Sequence, residues 1–340
     1  MCERGEYTPR VHSRSRAWRA CDTCDACDSA SVAIRARALS RFSVGLTSVA
    51  LIAPIAVVGC SKSNELDTKK TASLFTEVVV DTANGLSGLA ADDQGRIWTV
   101  AERDAKAYRI TLDTALKPTI ETFTITGVPG DTDLEGIEEL GDGRIAFGTE
   151  GRVDGVATVL LGDVKGDSIA ISSTITFTAE QIGIEMKANH GAEGVCGAGD
   201  QLIIAIEGAG EEGGKRWAPV LRIDKGQLVR KYRVWLTSKT GKLSGLDCTI
   251  ATDGTATVWG IERHFEVTKI LVFTLPPIGD SNVDITPRVA LDIGDAIASK
   301  RNLEGIALLP DGRIVTVADN QWKTIEGPSR LQIFAAGVVK

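Results

Sequence analysis

Several features are scarce or missing in this sequence, and each absence excludes a class of protein. No stretch has a helical hydrophobic period over a useful length, which argues against a helical fold. No Gly-x-Ser-x-Gly segment is present, which disfavours a serine esterase. Histidine is limited to three of 340 residues, and one of them is His12 near the N-terminus. Any histidine chemistry in the folded domain therefore rests on His190 and His264.

Basic residues are also fewer than acidic ones. The chain has 38 Lys and Arg residues against 45 Asp and Glu residues. Residues 1–59 hold eight of the basic and five of the acidic residues, so 30 basic and 40 acidic residues remain, a balance of −10. Because nucleic acids are bound chiefly through cationic contacts to phosphates, we expect no nucleic-acid partner.

What the sequence does contain is a segment that recurs five times. In each copy a Ser-Gly or Glu-Gly pair opens an apolar run, a Gly-containing turn follows, and a second apolar run ends the copy. The anchoring glycines are Gly88, Gly136, Gly194, Gly245 and Gly305. They recur with a mean period of about 54 residues, and a period of this size indicates a repeat array or a β-propeller.

Each copy has the pattern of a β-hairpin, with further strand-like runs between copies. Four strands per period match one propeller blade, and the region from residue 70 to 340 has room for five blades, which we prefer to six. The last copy is short, while a spare strand at 73–82 precedes the first. We therefore predict an all-β domain over 73–340. It is a monomeric propeller of five four-stranded blades, closed by the N-terminal strand, so that no sheet edge is left at the junction.

Residues 1–59 have the layout of an export signal. Three arginines precede an apolar stretch that ends in Val-Val-Gly-Cys at Cys60, and this ending resembles a bacterial lipobox. We predict that 1–59 are a leader with a lipoprotein signal peptide, that Cys60 is lipidated, and that 60–72 form a tether. Ser61 indicates the outer membrane as the destination. A membrane-spanning helix is the alternative, although the run is short for one and contains Pro54.

Two cysteines remain after Cys60, and they lie in neighbouring repeats. Export would permit a disulfide between Cys196 and Cys248. However, the two residues are one position out of register in the repeat, so their side chains are expected to face different ways. Two buried free thiols are therefore preferred to a disulfide.

The residue before each anchoring glycine belongs to a first polar set. Because the first strand of a blade lines the central channel, these side chains should form an inner ring at one mouth: Ser87, Glu135, Glu193, Ser244 and Glu304. Three carboxylates in a narrow ring repel one another unless they are protonated or neutralised. A bound cation would neutralise them, and hard oxygen donors without His or Cys suit Ca²⁺ rather than Zn²⁺. The alternative is that the glutamates accept hydrogen bonds from backbone N–H groups.

The end of the second strand supplies a second polar set. An acid is expected there in every copy, and hairpin geometry places these acids in an outer ring: Glu102, Glu150, Glu207, Glu262 and Asp319. Three roles remain open for them, since they could bind metal, pair with nearby arginines or simply end strands.

Loops at the same mouth carry several cations. An acidic, metal-filled centre with a cationic rim suits a small anionic ligand bridged through the metal, such as a phosphoester. We predict that Arg103 and Arg263 hold the anion. His264 is the candidate for proton transfer, because a pKa near 6.5 allows either direction near neutral pH.

The order of these motifs resembles the phytase-like, or "esterase-like activity of phytase", propeller family. The matching text is SGLA with AERD, LEGI with GTEG, AEGV with AIEG, SGLD with GIERHF, and NLEGIALLPDGRIVTVADNQW with a closing RLQIFA. The Ser, Glu, Glu, Ser, Glu order is also similar to the SdiA-regulated propellers and to the central calcium shell of the calcium-activated nucleotidases. This resemblance implies that the inner ring carries calcium. The Asp-Asp-Pro text of true alkaline phytases is not found.

Two functions from different classes follow. The first is an envelope-anchored lipoprotein that hydrolyses phosphoesters or esters at the channel mouth with calcium as its cofactor. The alternative is a non-enzymatic binding module of the cell envelope that calcium stabilises. A shared fold does not decide between them.

Overall fold

The computed structural model describes residues 74–151, 155–188, 190–264, 267–294, 302–320 and 327–338. Their secondary structure is almost entirely β-strand, with one short helix, α1 (Ala179–Ile182). Within these ranges no helix is long and apolar enough to cross a membrane. The predicted leader, the tether and Cys60 lie outside the described residues.

The repeats fold as five antiparallel blades of four strands, as predicted. Blade 1 contains β2 (Leu86–Ala91), β3 (Ile97–Ala101), β4 (Lys106–Leu112) and β5 (Pro118–Thr126). Blade 2 contains β6 (Asp133–Glu139), β7 (Arg144–Glu150), β8 (Val156–Lys165) and β9 (Ser168–Thr178). Blade 3 contains β10 (Ala192–Ala198), β11 (Gln201–Ile206), β13 (Lys215–Asp224) and β14 (Gln227–Trp235), with the short strand β12 (Gly210–Glu212) against β13.

Blade 4 contains β15 (Lys242–Ile250), β16 (Ala256–His264), β17 (Val267–Leu275) and β19 (Arg288–Asp292). The short strand β18 (Asp284–Ile285) crosses to pair in parallel with β14. Blade 5 contains β20 (Asn302–Leu308), β21 (Ile314–Asp319), β22 (Arg330–Phe334) and β1 (Phe75–Val79). The N-terminal strand thus completes the last blade. Phe75 pairs with Phe334, and their rings are 5.4 Å apart.

The anchoring glycines are explained by how closely the innermost strands approach one another around the channel. A Cβ atom on Gly88 would lie 2.7 Å from the backbone oxygen of Glu135 in the next blade, and a Cβ on Gly245 would lie 2.7 Å from that of Glu304. A Cβ on Gly305 would lie 2.5 Å from Gly88 itself, so blade 5 contacts blade 1 in the same manner. Only glycine fits these contacts, which is why the motif keeps it in all five copies.

Five hydrophobic clusters hold the ring together, one at each seam between neighbouring blades. The seam between blades 1 and 2, for example, buries Trp98, Phe123 and Phe147. The seam between blades 5 and 1 buries residues from β1 together with both blades, including Val80 and Tyr108. Because each blade buries apolar side chains on both faces, the five sheets form one continuous core.

The prediction of two free thiols is wrong, because Cys196 and Cys248 form a disulfide with Cα atoms 5.7 Å apart. Side chains one position apart in the repeat do point to opposite faces of their own sheets. However, neighbouring blades pack with opposite faces together, so this offset brings the two cysteines into contact instead of separating them.

The same offset recurs at two other seams. The second residue after the glycine in one blade contacts the third residue after the glycine in the next blade. Glu138 accepts a hydrogen bond from the backbone N–H of Gly197, and Asp247 accepts one from Leu308. The disulfide therefore occupies a position where other seams use a carboxylate and a backbone amide.

Candidate functional site

The structure places the five residues of the inner ring at one mouth of the channel. All are buried, with exposures of 0–6%. The Ser87 hydroxyl lies 2.8 Å from the backbone oxygen of Glu135 and 3.0 Å from its Oε2 atom. The Ser244 hydroxyl donates to the backbone oxygen of Leu303 at 3.1 Å. Both serines therefore join their blade to the next one.

The outer ring differs from the prediction in blade 4. Strand pairing sets Glu150 opposite Asp133, and Asp319 opposite Asn302, three residues before the glycine of the same repeat. In blade 4 this position is occupied by Lys242, and the residue opposite it is Arg263. The outer ring is therefore four acids and one arginine: Glu102, Glu150, Glu207, Arg263 and Asp319.

Glu262 lies on the other face of its strand and has a structural role. Its carboxylate accepts four hydrogen bonds, from the backbone N–H and the hydroxyl of both Thr237 and Ser238, at 2.6–3.0 Å. The side chain thereby fixes the connection between blades 3 and 4. A ligand role for Glu262 in the ring is excluded by this direction.

Arg263 neutralises one half of the inner ring. Its Nη2 atom lies 2.6 Å from Glu304 Oε2 and 3.6 Å from Glu193 Oε2. Its Nη1 atom donates to Asn302 Oδ1 at 2.6 Å. Lys242, on the adjacent strand, forms an ion pair with Glu207. Blade 4 thus supplies two cations to the acids of its neighbours, and we name Lys242, Arg263, Glu193, Glu207 and Glu304 the paired sector.

The opposite half has carboxyl groups in excess, and we name it the acidic sector: Glu102, Glu135, Glu150 and Asp319. Burial, together with the charge of Glu193, raises the pKa of Glu135 well above its usual value. Burial and the charge of Asp319 raise the pKa of Glu102 to about 8. Burial also raises the pKa of Glu150, whose side chain shares a hydrogen bond with Glu135. Glu102 therefore holds its proton near neutral pH unless a cation replaces it.

The three predicted catalytic residues do not converge on one point. Arg103 is at the rim, its side chain 62% exposed, with its Nε atom 3.5 Å from Asp133 Oδ2. Arg263 is instead buried in the ring. His264 ends β16, and as the next residue along a strand it points to the opposite face from Arg263. The rim also contains His190, where burial and the charge of Lys242 lower the pKa of the imidazole.

The residues of the ring fit calcium only in the acidic sector. The carboxyl groups of Glu135 and Glu150 share a hydrogen bond, so loss of its proton would leave hard oxygen donors of the kind that calcium takes. Glu193 and Glu304 are engaged with Arg263, so the predicted shell of five residues is not assembled. Among the described residues no three His, Cys, Asp or Glu side chains are grouped as a metal site requires.

For the residues three positions before each glycine, the sequence indicates only that Lys242 and Asn302 lie in the loops of the mouth, and it indicates no role for Asp133. Asp133, Lys242 and Asn302 occupy this position, and each contacts the ring or its arginines. The sequence could have indicated these residues, because the position three before the glycine lies opposite the outer ring in every hairpin. The pattern was obscured because a different residue type occupies this position in nearly every copy.

Comparison with known proteins agrees with the fold. The family described as "Phytase-like: Esterase-like activity of phytase" matches residues 81–322, more than two thirds of the chain. No curated protein sequence is similar enough to count as a relative.

Solved structures with similar chain traces include three at low identity. PQQ-bound aldose sugar dehydrogenase from Streptomyces coelicolor is 12% identical over 76% of this chain and 98% of that chain, with a TM-score of 0.41. Regucalcin from Agrobacterium tumefaciens, described as a calcium-binding protein, is 13% identical over 76% and 93%, with a TM-score of 0.39. Streptogramin B lyase is 11% identical over 76% and 96%, with a TM-score of 0.37.

Proposed function

We propose, on the premise that this chain belongs to the phytase-like family, that it hydrolyses small phosphoesters or esters at the channel mouth, with calcium as cofactor. The observation that supports this function best is the acidic sector. Several buried carboxyl groups there have pKa values displaced towards neutrality by burial and by one another. Clusters of this kind are typical of sites that transfer protons or bind cations.

Calcium would be held by Glu135 and Glu150, with the Ser87 hydroxyl beside them. When bound there, it would polarise the substrate oxygen and orient a water molecule. Arg263 and Lys242 would offset two of the three carboxylates in the paired sector, so that most of the added positive charge is needed in the acidic sector.

The chain's own residues would bind the anion and move the proton. Arg103 is exposed at the rim, where its Nε atom lies 3.5 Å from Asp133 and 3.9 Å from Glu102. It would exchange these contacts for a phosphate or carboxylate group, which a guanidinium binds through two N–H groups. Glu102 keeps its proton up to about pH 8, so it can donate that proton to a leaving group near neutral pH. His264 remains the other candidate for this transfer, although its strand position directs it away from Arg263.

The test is release of phosphate from phosphomonoesters, and cleavage of short-chain esters, with calcium and after chelation. We expect Glu102→Gln to lower turnover by about 10²-fold, since proton transfer typically contributes 10²–10⁴. Arg103→Ala should raise KM more than it lowers kcat. His264→Ala should match Glu102→Gln if the histidine carries the proton, and should match wild type if Glu102 does.

Arg144→Ala is the matched control for Arg103→Ala. Arg144 is also at a strand end and forms an exposed ion pair, with Asp200 at 2.9 Å, but it lies at the opposite mouth. Its loss should leave both kinetic constants unchanged. If folded wild-type protein turns over none of these substrates with calcium present, the enzyme proposal fails.

A binding module is the second candidate, and the paired sector favours it. Arg263 is held by Glu304, Glu193 and Asn302, which leaves no obvious open position for a substrate on that side. In this case calcium in the acidic sector would be a structural ion. Calcium at a hundredfold excess over its Kd would then stabilise the folded protein by about 2.7 kcal/mol. The melting temperature would rise accordingly, and no substrate would be turned over.

We further propose that the chain is exported and anchored at the outer membrane through a lipidated Cys60. The support is the Arg-flanked apolar run that ends in Val-Val-Gly-Cys. Cys60→Ala should yield an unprocessed precursor, whereas wild type should fractionate with membranes as a processed lipoprotein. Equal processing and equal membrane association of both forms would show that the segment is a plain anchor helix.

A further inference from the structure

The ring chemistry assigns no role to a groove beside the channel mouth. It has a volume of about 920 Å³ and runs between β12, the start of β13, and the connection from β14 to β15. Sites for small molecules typically have 300–1,000 Å³. The groove is therefore large enough for a ligand of two or three rings.

One wall of the groove is an addition that blade 3 carries on its second hairpin. β12 pairs with β13, with Gly210 opposite Trp217. A Cβ on Gly210 would lie 2.2 Å from the Trp217 indole, so the glycine lets the indole pack directly on the added strand. In blade 1 the equivalent connection, from Ala101 to Lys106, has no added strand.

The floor of the groove is an aromatic platform held rigid by an arginine. The guanidinium of Arg233 lies 5.5 Å from the ring centroid of Trp235 and 5.9 Å from that of Trp217. It is fixed in turn by Asp284 at 2.7 Å and by Glu212. Trp235 is half-buried and lines the groove. A rigid indole in a groove offers a flat apolar surface at little entropic cost.

The upper wall combines hydroxyl groups with cations. The hydroxyls of Thr237 and Ser238 donate to Glu262, and they accept from Lys269 Nζ at 3.1 Å and from the Gly241 backbone N–H at 2.8 Å. Each oxygen has two lone pairs, so one on each remains to accept a hydrogen bond from a ligand. Lys215 and Lys239 are exposed at the rim, and Arg216 donates to the Lys239 backbone oxygen at 3.2 Å. Glu211 and Glu212 line the same groove, but Glu212 is paired with Arg233, so the cations Lys215, Arg216 and Lys239 outnumber the remaining carboxylate. The groove therefore presents a flat surface, hydroxyl acceptors and an excess of positive charge together.

We infer that this groove binds an acidic oligosaccharide, as the part of the substrate that extends beyond the channel mouth. The C–H face of a sugar ring would pack on Trp235, sugar hydroxyls would donate to Thr237 and Ser238, and carboxylate or sulfate groups would meet Lys215 and Lys239. This inference rests on the proposed function for its link to catalysis. The groove and the inner ring are linked by two consecutive residues. Glu262 holds the wall of the groove, and the next residue, Arg263, contacts the inner ring.

Calorimetric titration of the folded protein with trigalacturonate tests the inference, with neutral maltotriose as the matched ligand. We expect trigalacturonate to bind with a Kd below about 1 mM and more tightly than maltotriose. Trp235→Ala should weaken binding of both ligands. The double substitution Lys215→Ala with Lys239→Ala should weaken trigalacturonate at least tenfold and leave maltotriose unchanged. Lys165→Ala, an exposed lysine at the opposite end of blade 2, is the control and should change neither.

Small phosphomonoesters occupy only the mouth, so they separate this inference from the proposed function. The lysine and tryptophan variants should hydrolyse them at the wild-type rate. If the protein binds trigalacturonate but hydrolyses no phosphomonoester or short-chain ester, the groove inference is supported and the proposed enzymatic function is refuted. The inference is overturned if wild type does not bind trigalacturonate below about 1 mM, if maltotriose binds equally well, or if the two exposed lysines contribute nothing.

Discussion

Arg263→Gln should destabilise the protein by about 3–5 kcal/mol near pH 9. Removing one partner of a buried ion pair leaves the other charge uncompensated, and losses of this size are typical. Here two glutamates, Glu193 and Glu304, would lose their counter-charge together. In a domain of this size each kcal/mol lowers the melting temperature by about 2–4 °C, so the effect is readily measured by thermal unfolding.

The pH dependence of this loss identifies its cause. Burial raises the folded-state pKa of Glu304 to about 8, although Arg263 opposes the rise. A carboxyl group whose pKa is raised by folding contributes stability at low pH, and that stability is lost as the pH rises through the folded value. Without Arg263 the folded pKa rises further. The deficit of Arg263→Gln should therefore be small near pH 5 and large near pH 9.

Two further comparisons complete this prediction. Calcium should restore part of the stability of Arg263→Gln at pH 9, because the freed carboxylates become additional oxygen donors. Arg144→Gln, which removes only an exposed ion pair with Asp200, should cost less than about 1 kcal/mol. An equal deficit at pH 5 and pH 9 would show that Arg263 packs against the ring and does not neutralise it.

Removing the disulfide should have an effect of similar size. Cys196 and Cys248 are 52 residues apart, and a crosslink that closes a loop of this length stabilises by about 4 kcal/mol in the chain-entropy account. We expect Cys196→Ala with Cys248→Ala to unfold at a lower denaturant concentration than oxidised wild type. Reductant should lower the stability of wild type and should leave the double variant unchanged.

Mass spectrometry supplies the direct check on the disulfide. Alkylation of the unfolded, unreduced protein should leave Cys196 and Cys248 unmodified, and both should react after reduction. The single variant Cys248→Ala should behave like the double variant, since one cysteine cannot close the loop. Two alkylated cysteines in unreduced protein exported to an oxidising compartment would contradict this prediction.

The five-bladed architecture could be derived from the sequence because its determinants are local. Each blade needs a period-2 pattern, a turn and a glycine where the innermost strands meet, and all three are visible in every copy. Closure by the strand at 73–82 followed from the short last copy. The inner ring was also predictable, since its residues directly precede the glycine that sets their direction.

Four of the five acids expected in the outer ring lie opposite the residue three positions before the glycine. Blade 4 differs, because its hairpin is longer. The outer-ring acid follows its anchoring glycine at one constant separation in blades 1, 2 and 5, as from Gly88 to Glu102. The separation from Gly245 to Arg263 is longer by four positions. Four extra residues add two to each strand and preserve the direction of every side chain. Choosing Glu262 assumed three extra residues, and with an unchanged turn an odd number would have reversed that direction. In blade 3 the separation is one residue shorter, but the turn is shorter as well, since Ala198 pairs with Gln201, and Glu207 keeps its direction.

The tertiary structure alone decided how neighbouring blades meet. A sequence repeat shows which face of its own sheet a residue is on, but the partner on the facing sheet depends on the packing of two blades. For this reason the offset of the two cysteines, which predicted free thiols, is what brings them together. The division of the ring into a paired and an acidic sector has the same origin, because Arg263 reaches acids that lie on both neighbouring blades.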